Sequence, residues 1–92
     1  MKVYLVGTRD AESNRVEYVC SSRETSFKKW EDLRQELIGR AKEMLEYDRK
    51  EKCESGVQMQ ERILKNLSEP NPELMDNYPQ EEPYIREMEV EG

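Results

Sequence analysis

Between Ser21 and Tyr47 the apolar residues Phe27, Trp30, Leu33, Leu37, Ile38, Ala41, Met44 and Leu45 recur in steps of three and four. That spacing puts them on one stripe of a helix. The stripe holds the only Trp and the only Phe of the chain, so any core must be assembled against it. Ninety-two residues make one domain. A chain of this length buries a small share of its surface. Apolar residues make up 35% and charged residues 39%, so the core is thin, and a homodimer that shares it is expected.

Ahead of the stripe, Lys2 to Val6 is a β-branched and aromatic run that predicts a strand, ended by Gly7. Thr8 to Asn14 is polar and reads as a loop. Arg15 to Cys20 predicts a second strand, with Val16, Tyr18 and Cys20 on one side and Glu17 and Val19 on the other. About seven loop residues exceed the usual ~2–5 of a hairpin. Ser21 with Glu24 fits a capping box, with Ser26 as a rival N-cap. Gly39, inside the helix, costs about 1 kcal/mol relative to Ala and allows either a close helix crossing or simple tolerance.

Asp48 to Ser55 is charged and predicts a solvated continuation of the helix. Ser55-Gly56 reads as a break or a cap, and Val57 to Leu67 as a second helix lined by Val57, Gln60, Leu64 and Leu67. A helix from Ser22 to about Lys50 would be ~43 Å long, whereas a typical strand is ~17–20 Å. The first helix must therefore overhang the sheet, and its far half is expected to form a helical hairpin with the second. Ser68 to Pro83 contains all four prolines and reads as an acidic extended linker, with Leu74, Met75 and Tyr78 available to tack it to the core. Tyr84 to Glu91 alternates: Ile85, Glu87, Glu89 and Glu91 fall on one side, Tyr84, Arg86, Met88 and Val90 on the other. It predicts an amphipathic strand added to the N-terminal hairpin. The fold class is α+β in the order β-β-α-α-β, a single domain with helices on one face of a three-stranded, antiparallel-type sheet.

The N-terminal MKVYLV, the strand running into CSSRET at the start of a helix, and the terminal PYIREMEVE together resemble small uncharacterised proteins encoded by phages and prophages. The resemblance covers roughly the first 30 and the last 10 residues, and the charged middle departs from it. It implies an accessory protein with a host-factor or anti-defence inhibitory role, and it carries over no catalytic residue.

The chemistry of the residues narrows the function classes. Histidine is absent, which removes the commonest general base near neutral pH, the commonest metal ligand and the usual triads. No phosphate-binding loop is written in the chain. Cys20 and Cys53 lack metal-ligand spacing; a disulfide is open to them, but reduced thiols are expected. Glu31/Asp32 diverge as helix neighbours, so no metal, cofactor or catalytic residue is expected and the chain is not read as an enzyme. No run of ~20 apolar residues and no signal peptide is written in it, so no membrane is expected as a partner and a cytoplasmic location is. Residues 51–92 carry four basic and eleven acidic side chains, a balance that repels nucleic acid and attracts a basic surface. Inhibition or modulation of a host protein through Glu81, Glu82, Glu87, Glu89 and Glu91 is therefore expected, as an inhibitor or a DNA mimic. The alternatives are a protein that sequesters a nucleotide-like signal with Arg9, Arg15, Arg23 and Tyr84, and a structural or regulatory dimeric module.

Overall fold

The computed structural model describes residues 1–68 and 81–91; Leu74, Met75 and Tyr78 lie outside them. In chain order the elements are β1 (Lys2–Arg9), β2 (Asn14–Cys20), α1 (Arg23–Lys50), α2 (Glu54–Leu67) and β3 (Glu82–Glu89). The strands form one sheet in the order β2-β1-β3, and both pairings are antiparallel. This is the α+β architecture that the alternation and the helical stripe predict.

Side-chain parity along the ladder sorts the sheet into two faces. Tyr4 and Val6 of β1 lie level with Cys20 and Tyr18 of β2, and with Glu87 and Ile85 of β3. Val6, Cys20, Tyr4 and Ile85 join Trp30, Leu33, Leu37, Ile38, Ile63 and Leu67 in one core. The helices therefore cover this face. Trp30 is buried, as the stripe requires, and so are Leu33, Leu37 and Ala41. Phe27 and Met44 were expected on the stripe too, but both are exposed. They lie at its margins, and Ser26 and Asp48 take the buried helical positions instead.

Several boundaries shift for identifiable reasons. Gly7 does not end β1, which continues to Arg9 and leaves only residues 10–13 as the hairpin loop. The register slips by one residue between Val6 and Gly7, so Val16 pairs with Gly7 rather than Thr8. This β-bulge removes Val16 from the side shared by Tyr18 and Cys20 and leaves it exposed. Ser22, not Ser21 or Ser26, is the N-cap of α1: its Oγ accepts the Thr25 N–H at 3.1 Å.

The break between the helices falls at Glu51–Cys53, where Lys52 has a φ of 55°, while Ser55 and Gly56 are helical. The bare Gly56 makes room for the buried Asp48, whose Oδ2 would lie 2.5 Å from a Cβ at that position. The Cys53 N-cap of α2 makes no side-chain cap bond, and the Asp48 carboxylate sits at this helix end, where negative charge is favoured. Pro83 belongs to β3 rather than to the linker, on an edge strand where proline is tolerated.

Among the described residues a Cβ on Gly39 would meet nothing within 4 Å, so no described helix crosses there. Gly39→Ala is expected to stabilise the protein by up to about 1 kcal/mol, read as a rise of several degrees in the melting midpoint.

Candidate functional site

The hairpin loop is closed by Asp10. Its Oδ1 accepts the backbone N–H groups of Glu12 and Ser13, each at 2.8 Å, and the Ser13 hydroxyl at 3.2 Å. These donors hold the Asp10 carboxyl below its usual range. Glu31 on α1 is likewise lowered, chiefly by its hydrogen bonds from Arg34. Both folded-state values lie below the unfolded ones near pH ~4. The stability these groups contribute is complete above that pH and is lost as pH falls through the folded values. The denaturation midpoint should thus be flat across mildly acidic pH and fall below about pH 4. Asp10→Asn, which keeps an acceptor oxygen and removes the titration, should flatten part of the fall.

The residues considered for a nucleotide-like ligand do not converge. Arg9 donates from Nε to Glu82 Oε1 at 2.6 Å, and its guanidinium lies 5.9 Å from the Tyr84 ring centroid. Burial raises the Tyr84 hydroxyl above its usual range. Arg15 pairs with Thr8, one register step from Arg9 and hence on the opposite face. Arg23 lies in the first turn of α1, stacked 5.4 Å from the Phe27 ring, beyond the other end of β2. Only Arg9 and Tyr84 come together.

The acidic residues are placed as structural pairs. Glu81 meets Arg40 at 3.2 Å, Glu82 meets Arg9 and is buried, Glu87 meets Lys2 at 3.0 Å, and Glu89 meets the N-terminal ammonium at 3.0 Å. Glu91 is exposed, with no ion pair among the described residues. Much of the charge expected to attract a partner is thus matched within the chain. Exposed pairs of this kind add little stability, ~0–1 kcal/mol each, but they lower the local field. Among the described residues no three potential metal ligands gather, and Cys20 and Cys53 are free thiols, the first buried and the second exposed. No described helix is long and apolar enough to cross a membrane.

The surface that sequence reasoning missed is the outer face of the sheet. Val3 and Leu5 of β1 stand level with Met88 and Arg86 of β3, and Leu5 also with Val19 of β2. The Val90 N–H donates to the Met1 carbonyl at 2.7 Å, which carries the ladder one step further and aligns Met1 with Val90. Met1, Val3, Leu5, Val19, Met88 and Val90 therefore form one aliphatic stripe around a single cation, Arg86. Val19 is 66% exposed and Met88 41%. The signal was present in the unbroken apolar run Val3 to Val6, which suits a strand covered on both faces, and in the apolar side of β3.

Comparison of the chain with models of protein families, with curated proteins and with solved structures finds no match.

Proposed function

We propose that this chain is a small accessory protein that works by binding another protein, with the outer face of its sheet as the working surface. The observation that carries this reading is the aliphatic stripe from Met1 to Val19, in which Met1, Val19, Met88 and Val90 are exposed and Val3 and Leu5 half-buried, while the opposite face of the same strands is covered by the helices. Contiguous exposed apolar surface rimmed by polar groups is the usual mark of an interaction site. The main-chain edges of β2 and β3 flank it and can extend the contact by strand addition. Inhibition or modulation of a host protein, the role the phage-type resemblance implies, is the form this binding takes. Glu81, Glu82, Glu87 and Glu89 are each paired with a cation of the chain itself, which leaves Glu91 as the carboxylate best placed to meet a basic rim on the partner.

The test compares capture from a bacterial lysate by the native chain, by Val19→Lys with Met88→Lys, and by Glu91→Lys. Both sheet positions are exposed, so circular dichroism should show the native fold. A partner held by the native chain and by Glu91→Lys but lost on the sheet variant supports this surface. A partner held by the sheet variant and lost on Glu91→Lys or in salt returns the function to the acidic residues.

A further inference from the structure

The one cation on the outer aliphatic stripe constrains what can cover it. The strands hold Lys2 and Arg9 on β1, Arg15 on β2 and Arg86 on β3. Lys2, Arg9 and Arg15 each meet a carboxylate of the chain: Glu87, Glu82 and Glu17. Arg86 is exposed and makes no ion pair among the described residues. Register explains the difference. Arg86 stands opposite Leu5, and Leu5 opposite Val19. Its same-face neighbours along β3 are Tyr84 and Met88. Glu87 and Glu89 alternate onto the other face, where Lys2 and the N-terminal ammonium take them. Glu82 shares the outer face further along, but it is buried and held by Arg9 at 2.6 Å. Arg86 and Arg9 both oppose the rise that burial gives the Tyr84 hydroxyl, so the two guanidinium groups flank it on this side of the sheet.

A surface that covers the aliphatic stripe must also cover Arg86, because Leu5 lies only ~5 Å across the ladder and Met88 ~7 Å along the strand. Stripping water from a guanidinium without giving it an anion is strongly unfavourable. The chain supplies no carboxylate at this point, so the occupant has to bring one. Resting on the sheet face as the working surface, we infer that the partner is a protein segment in which one Asp or Glu stands between aliphatic residues and pairs with Arg86. A carboxylate and a guanidinium are both planar and can share two parallel N–H···O bonds, which fixes the segment's register as well as its charge. A run of phosphates does not suit this face. The chain carries a net charge of −6 and repels a polyanion at a distance, whereas a single carboxylate among aliphatic groups meets a single cation among aliphatic groups.

Selection from a random peptide library displayed on phage, with the full chain as bait, tests this. The native chain should enrich peptides with one acidic residue flanked by aliphatic ones, and Arg86→Glu should enrich a basic residue in that place. By calorimetry, a peptide selected on the native chain should bind Arg86→Gln at least about tenfold more weakly. Replacing its acidic residue with Lys should abolish binding to the native chain and restore it to Arg86→Glu. Arg86 is exposed, so these variants should keep the native circular dichroism spectrum. Acid-free aliphatic peptides that are lost on Val19→Lys with Met88→Lys, but held by Arg86→Gln, overturn this inference and leave the sheet face as the working surface. Peptides that bind the Val19→Lys, Met88→Lys chain as tightly as the native one overturn both readings. A selection that enriches no peptide overturns the inference as well.

Discussion

Trp30→Ala should remove most of the protein's stability at room temperature. Trp30 is 2% exposed and lies at the centre of the core, against Val6, Cys20, Leu33 and Leu37. Truncating a buried Trp to Ala costs about 3–5 kcal/mol. A domain of this length has only about 5–14 kcal/mol in total, and its thin core places it toward the lower end. The indole N–H has no hydrogen-bond partner among the described residues, so none of the loss comes from a broken hydrogen bond. Trp30→Phe removes that buried, unmatched donor while keeping most of the apolar volume, and should cost distinctly less than Trp30→Ala. Urea unfolding followed by circular dichroism measures both. Equal losses in the two variants would show that the apolar ring volume, which Phe largely keeps, is not what holds the core.

The second large effect belongs to a smaller residue. In Gly7→Ala the new Cβ would lie 2.0 Å from the Arg15 carbonyl oxygen and 3.0 Å from the Val16 Cα. Both obstacles are backbone, so no rotamer change relieves them, and β2 must move away from β1 at the bulge. The need for glycine is one of space, since no glycine among the described residues has a positive φ. Overpacking of this kind costs about 1–3 kcal/mol, and here it falls on the pairing that holds an edge strand. Amide exchange should quicken from Asn14 to Tyr18 before the rest of the sheet is affected. Gly39→Ala, an identical chemical change in open space, should move stability the other way. If Gly7→Ala were as mild as Gly39→Ala, the bulge would have to shift freely.

Periodicity made much of this architecture readable. The steps from Trp30 to Leu37 located α1 and its buried face, and the alternation from Tyr84 onward located β3. The features that escaped depend on contacts between distant residues. The close approach of Arg15 to Gly7 creates the bulge, and no local propensity encodes it. Asp48 reads as solvent-facing until Gly56 is seen to leave room for it. The acidic residues were read as free charge because their partners, Lys2, Arg9, Arg40 and the N-terminal ammonium, are remote in sequence. β3 was recognised as two-sided, but which side lay inward depended on the register of Ile85 against Val6. The outer aliphatic face could be assembled only once that register was fixed.

The strand order has a bearing on how the protein comes to be made. β1 is the first strand of the sheet and its middle one, yet its contact with β3 joins residues 73 positions apart, as Arg9 and Glu82 show. Pairings of such long range form late, because closing the intervening chain costs entropy first. During synthesis the hairpin and α1 can assemble while one margin of β1 still shows bare amides and carbonyls. A nascent chain in that condition is open to capture by any other extended segment.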